Sequence, residues 1–247
     1  MVKFNSSLMK GSMILSFILI IVLGISIFSI TTRFEIFDSR ITNLEKRLDE
    51  RTKAEEELTN QLKKISEQNE EIKRIEEERQ LREQLHSMAV QQVKENGLSL
   101  DDDLGEPLAL NANDINKMID GWIEYRGKDS VLKDHGEAFI IASRETGLNP
   151  IYLLAHAFVE SGYGTSYYAV TRNNFFGINA VDANPDLAST MGDSVDQGII
   201  NGAIWIQNNF YDNGYCSLRE MHDAGYATSK NWARDIASVA NNSVRFL

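Results

Sequence analysis

Between Lys10 and Arg33 the chain carries 22 consecutive uncharged residues, with MILSFILIIVLGISIFSI at 13–30 as its apolar heart. No charged residue breaks this run into faces, so it does not read as an amphipathic helix on a soluble core. At about 1.5 Å per residue, such a helix reaches roughly 33 Å, enough to cross the hydrocarbon core of a bilayer. A cleaved secretory signal is the other reading. Its apolar stretch is usually about 7–15 residues, and it ends in a small-residue cleavage site that Ser29-Ile-Thr31 matches poorly. Lys3 and Lys10 on the short N-terminal flank, against Arg33 and Arg40 mixed with Glu35 and Asp38 on the other, predict a cytoplasmic N-terminus by the positive-inside rule. Residues 1–33 are thus expected to be a cytoplasmic tip and signal anchor of a single-pass membrane protein, with everything after about residue 33 outside.

The composition then changes. Residues 34–96 hold 16 acids and 12 bases and contain no Gly and no Pro. Rich in Glu, Lys, Arg, Gln and Leu, they read as one long helix. Apolar residues at Phe37, Ile41, Leu44, Leu48, Leu58, Leu62, Ile65 and Ile72 follow a 4-3 spacing, slip at Ile75, and resume at Leu81, Leu85 and Met88. That pattern predicts a coiled-coil stalk with one discontinuity, and with it a homo-oligomer. A monomeric, charge-laced spacer helix fits the same residues. Gly97 is expected to end the helix, and the acids, glycines and proline of 97–113 read as a linker.

Residues 114–247 are a third material, holding all three tryptophans and the single cysteine. Net charge over 97–247 is −10. Nucleic-acid binding needs clustered cations, so that class is excluded. One Cys excludes a disulfide framework, and His86, His135, His156 and His222 are scattered with no H-E-x-x-H, so neither a metal site nor any other cofactor is expected. Nothing around Cys216 points to an activated thiol. Helices are predicted over 114–125, 137–145, 151–160, 195–210 and 231–240. Asn149-Pro150 is an N-cap and first-turn pair, and Ser217 to Glu220 has capping-box spacing. Residues 172–194 lose the helical period and read as a loop or a small β-lobe.

Within this third part Glu160 is the acid that chemistry would select. It is the only carboxylate between Glu145 and Asp182, it closes an apolar helix, and SGYGTS follows it. Apolar surroundings raise a carboxyl pKa, as a general acid requires. A buried structural hydrogen bond is the other use of such a residue.

Four words in order, AHAFVESGYGTS (155–166), NNFFGINAVD (173–182), GAIWIQNNF (202–210) and YATSKNWARDI (226–236), resemble the autolysin-type endo-β-N-acetylglucosaminidases of glycoside hydrolase family 73. The resemblance covers about residues 134–240. It implies an α+β, mainly helical, lysozyme-like domain with a glycan groove. It also implies hydrolysis of peptidoglycan glycan strands at the β-1,4 bond on the reducing side of N-acetylglucosamine. Glu160 would be the catalytic acid. Tyr226 would stand beside it as a catalytic or substrate-contacting group, and Asn174, Phe175, Phe176 and Gly177 would shape the groove floor. Family members often carry Tyr where Asn173 stands and Asp where Ser229 stands. Most glycosidases pair two carboxyl groups. Asp182, shortly after the N-F-F-G-I word, is the expected second one, either activating water or stabilising an intermediate formed by the substrate's own acetamido group. Tyr163 and Trp232 are candidate sugar-stacking rings. A muramidase or lytic transglycosylase on the same fold is the nearest rival activity. A non-catalytic wall-binding envelope protein is the rival from another class.

Overall fold

The computed structural model describes residues 6–179 and 189–247, with side chains excluded for 6–10 and 12. It divides into two compact units at Ile75. Helix α1, Ser6–Asn96, runs unbroken from the apolar segment through the charged one. From Met13 it is long and apolar enough to cross a membrane, by length and composition. Its large apolar side chains there, such as Phe17, Leu19 and Phe28, are all exposed. So are the seam residues Phe37, Leu44, Leu48, Leu58, Leu62, Ile65 and Ile72.

The second unit, from Glu76 onward, has helices as its only regular elements among its described residues. After α1 come α2 (Ala112–Arg126), α3 (Gly136–Thr146), α4 (Pro150–Ser161), α5 (Tyr167–Arg172), α6 (Val195–Asn209), α7 (Leu218–Asp223) and α8 (Trp232–Ser243). Local sequence sets most of these ends. The Asn149 side chain accepts from the N–H groups of Ile151 and Tyr152, and Pro150 takes the first helical position, so α4 starts where the backbone has donors to satisfy. Ser217 and Glu220 form the reciprocal capping box of α7. An unforeseen second one, Asn111 with Asp114, opens α2. Helix α5, which the periodicity did not flag, is only six residues long and is capped by Ser166.

Helix α4 is the axis of this unit. Ile151 through Phe158 are all buried, so it is surrounded on every side. α8 and α3 pack on it, and α2 and α6 pack on α3. Because α4 has no solvent face, its last turn carries Glu160 straight from the core to the surface of the fold.

Residues 97–113, read from composition as a linker, supply core. Leu98, Leu104 and Leu110 are buried, as are Ala89 and Val93 on the last turns of α1. Backbone bonds run from Leu104 N–H to the Cys216 carbonyl and from Asn149 N–H to the Leu104 carbonyl, 2.8 and 2.7 Å. Asn241 bonds both the N–H and the carbonyl of Leu98, and Arg219 holds Asp101 through two nitrogens. Three leucines spaced by acids and turns cover the core without any helical or strand period, which is why composition alone suggested a tether. His86 on α1 meets the buried carboxylate of Asp114 at 2.6 Å, fastening the helix end to α2.

The region expected as a loop or small β-lobe contains no strand among its described residues. Its turns are held by side chains. Asn174, buried, donates to the carbonyls of Ile178 (2.8 Å) and Ser189 (3.1 Å) and accepts from Ile178 N–H (3.0 Å). One asparagine thereby satisfies backbone groups that a sheet ladder would otherwise pair.

Candidate active site

Glu160 stands in the last turn of α4, half-buried, with its carboxyl against two other segments. Trp232, the first residue of α8, donates its indole N–H to Glu160 Oε1 at 2.6 Å. Glu160 Oε2 lies over Gly177, close enough that a Cβ there would sit 2.5 Å from it. Gly177 also has φ +67°, a conformation that side chains disfavour. Burial raises the Glu160 pKa, and the Trp232 bond works in the opposite direction. The carboxyl is therefore poised to hold a proton above the usual carboxylate range.

A stack of rings builds the wall behind it. Tyr226, in the loop between α7 and α8, lies on Trp232 with ring centroids 4.8 Å apart and planes 24° apart. Its hydroxyl donates to the Phe176 carbonyl at 2.9 Å. The Trp232 ring is also stacked with His222, 6.3 Å away. Buried below is His156, whose ring meets Phe176, Tyr226 and Trp232 edge to face at 5.4, 4.8 and 5.2 Å. Thus α4, the 173–179 turn, the 226 loop and α8 converge on one carboxyl.

Side-chain volume decides how the 173–179 turn reaches this place. On α6, Gly198 and Gly202 stand one turn apart. A Cβ on the first would overlap the Asn173 carbonyl, and on the second the Phe176 ring. Those two missing side chains let the turn lie on α6 and present Gly177 to Glu160.

The sequence-predicted residues distribute unevenly. Glu160, Gly177, Tyr226, Trp232 and Phe176 form one cluster. Phe175 and Phe176 are fully buried, so they support the floor from beneath instead of facing a ligand. Asn174 pins the same turn. Trp232 is 3% exposed, and its polar edge is occupied by Glu160, so the structure gives it a holding role and no stacking face. Tyr163 turns elsewhere, packing on Trp122 and Phe158 with the Arg126 guanidinium 4.1 Å above its ring. Its ring is committed to that cluster, and its backbone has φ +64°. Asp182 and Asp186 lie outside the described residues. Of the other acids in that region, Asp193 is exposed and Asp196 pairs with His135 at 2.6 Å. No group of ligands able to hold a metal is present among the described residues.

Two residues of the site were not singled out from sequence. Trp205 and Phe210 join Gly177, Ile178, Asn179, Gly225 and Tyr226 around a hollow of about 260 Å³ next to the Glu160 cluster. The signal was present in GAIWIQNNF, where an aromatic at the exposed edge of an otherwise apolar helix marks a half-covered surface.

His156 is the buried group with an unmet need. Its Nδ1 is 3.0 Å from the Tyr152 hydroxyl, which in turn donates to Met221 Sδ. Its Nε2 has no hydrogen-bond partner. Burial lowers its pKa from 6.5 to about 3, so the imidazole is neutral in the folded state. Below pH 6.5 the unfolded chain takes up a proton that the folded chain refuses. The stabilisation is full above 6.5 and is lost progressively as pH falls toward about 3, with a total of roughly a few kcal/mol. The midpoint of urea unfolding of the second unit should therefore drop steeply between pH 6.5 and 4.5. The drop should be clearly shallower in His156→Gln. Parallel slopes would show that His156 does not carry it.

The second unit, a helical fold with a half-buried acid at the end of its central helix and aromatics around it, is similar to known glucosaminidases. Residues 136–243 match the glucosaminidase family model, described as mannosyl-glycoprotein endo-beta-N-acetylglucosaminidase. It is 35% identical over 140 residues to a Streptococcus pneumoniae protein assigned to the endo-beta-N-acetylglucosaminidases, covering 56% of this chain and 21% of that one. To the bifunctional autolysin of Staphylococcus epidermidis it is 36% identical over 164 residues, covering 55% and 12%. The chain thus spans about a fifth or less of these curated relatives. Among solved structures, Staphylococcus aureus autolysin E is similar with a TM-score of 0.50 and 28% identity, over 58% of this chain and 69% of that one.

Proposed function

We propose that this chain is a membrane-tethered peptidoglycan hydrolase. On this reading it cleaves the β-1,4 bond between N-acetylglucosamine and N-acetylmuramic acid, with Glu160 as the general acid. The observation that carries the reading is the Glu160 carboxyl itself, its pKa raised by burial, set beside an open, aromatic-lined hollow. Glu160 gives its proton to the glycosidic oxygen as the bond to the anomeric carbon breaks. Tyr226, held well above its ordinary pKa by burial, stays a neutral phenol that braces the 173–179 turn. Trp205 and Phe210 supply apolar surface suited to a sugar face. No cofactor enters this chemistry. Asp182 is assigned the second carboxyl role by its position in the sequence shortly after the groove turn.

The exposed apolar stretch of α1 is assigned to the bilayer, with the N-terminus cytoplasmic and the hydrolase domain facing the wall. The exposed 4-3 seam from Phe37 to Ile72 is assigned to pairing with other copies of the chain. Tethering restricts cutting to wall within reach of the membrane that carries the enzyme.

The test uses the full chain in detergent on purified peptidoglycan, with products reduced by borohydride and identified by mass spectrometry. Reduced N-acetylglucosamine ends are expected. Reduced N-acetylmuramic acid ends would instead define a muramidase, and anhydro ends a lytic transglycosylase. Wall binding without cleavage would leave only the binding role.

A further inference from the structure

The carboxyl of Glu160 is held asymmetrically. Among the described residues its one hydrogen bond comes from the Trp232 indole N–H, 2.6 Å from Oε1. Indole N–H is a donor only, so Oε1 must act as acceptor there in every protonation state of Glu160. Oε2 has no such partner and lies over Gly177, where the absent side chain leaves room. Gly177 also lines the aromatic hollow, so Oε2 lies against a residue of the hollow's wall.

From this geometry we infer that Trp232 is a positioning residue, which confines the catalytic proton of Glu160 to Oε2 and stabilises the carboxylate formed when that proton leaves. The inference rests on the role of Glu160 given above and deepens it. In the reaction the proton passes from Oε2 to the glycosidic oxygen. The C1–O bond breaks with its electron pair going to that oxygen. Water then forms the new bond at C1 and releases a proton. Glu160 ends the first step as an anion, and the Trp232 bond becomes charge-assisted as that anion develops. Bonds to a charged acceptor are about twice as strong as neutral ones. The donor therefore gains strength on the way to the transition state, which is the condition for lowering the barrier.

The surroundings leave this bond as the main polar control on the acid. On α4, His156 is neutral and Tyr152 is raised by burial. From the 226 loop, Tyr226 is a neutral phenol, and His222 on α7 stacks with Trp232. Residues 173–179 carry no ionisable side chain. The indole itself is buried and stacks with Tyr226 and His222.

Trp232→Phe keeps the ring and deletes the donor. With the carboxylate less stabilised, Glu160 holds its proton to higher pH. The alkaline limb of kcat/KM in the full chain should move up by about one pH unit, and kcat should fall about tenfold, with KM little changed. A purely structural role would lower the active fraction and leave the limb in place, and a sugar-stacking role would raise KM. Either result overturns the inference. Should Trp232→Phe fail to fold by circular dichroism, the wild-type protein still decides. With indole-15N tryptophan, the Trp232 N–H resonance should titrate with the midpoint of the alkaline limb and should stop titrating in Glu160→Gln. A resonance that ignores that midpoint also overturns it. Activity surviving in Glu160→Gln is a separate failure, that of the proposed catalytic role.

Discussion

Glu160→Gln should lose about 10³-fold or more of peptidoglycan hydrolysis while folding normally, the size expected for a missing general acid. The substitution is nearly isosteric, and the amide oxygen still accepts the Trp232 N–H that Oε1 accepts in the native protein. What disappears is the transferable proton. Stability should move the other way. Burial raises the Glu160 pKa, so the folded state prefers the protonated acid. Below the usual carboxylate range this costs nothing. As pH rises through that range toward the raised value, the unfolded chain ionises freely and the folded chain resists, so stability is lost with rising pH. Glutamine never ionises, and its thermal midpoint at neutral pH should be equal to or above that of the native protein. The check is turnover by release of reduced ends, together with a melting curve at pH 5 and pH 7.5. A variant that melts lower and is only a few-fold slower would mark Glu160 as a structural group.

Phe176→Ala should be the most damaging single change to the scaffold around the site, costing about 3–5 kcal/mol as large-to-small core substitutions of this kind do. The ring is fully buried, lies against the space left by Gly202, and meets His156 at 5.4 Å. A cavity there cannot be refilled by α6, whose facing residue has no side chain. The loss should spread to the site, because the Phe176 carbonyl is the acceptor for the Tyr226 hydroxyl and the next residue is Gly177. Activity should therefore fall even at temperatures where the fold persists. Urea unfolding followed by tryptophan fluorescence measures the first effect, and hydrolysis at 15 °C the second. Phe176→Leu, which keeps most of the volume, should recover most of both. Equal damage from Leu and Ala would locate the effect in ring contacts and not in volume.

Glu160 was legible in the chain as the candidate acid for a physical reason. An apolar helix bounded by Asn149-Pro150 and a glycine needs no carboxylate, so a lone Glu at its end must find a purpose. The capping signals of α4 and α7 were legible because they act within four residues. The groove floor was read only halfway. Phe175 and Phe176 mark the right segment, but nothing in NFFG says which way the rings point. The site also depends on Gly198 and Gly202 of α6, some 25 residues onward, making room for the turn.

By itself the sequence determined the parts governed by local forces. It specified an apolar span of bilayer length, a breaker-free charged helix, the helix ends set by side-chain caps, and an isolated acid at the end of an apolar helix. Those features follow from periodicity and backbone hydrogen bonding, which short stretches of chain settle alone. The tertiary structure decided which groups meet. It turned Tyr163 onto Trp122 and away from Glu160, drew Leu98, Leu104 and Leu110 into the core, and brought Trp232 across 72 residues to the Glu160 carboxyl. Such pairings depend on how whole helices pack and which side chains leave space between them, and no local pattern encodes that.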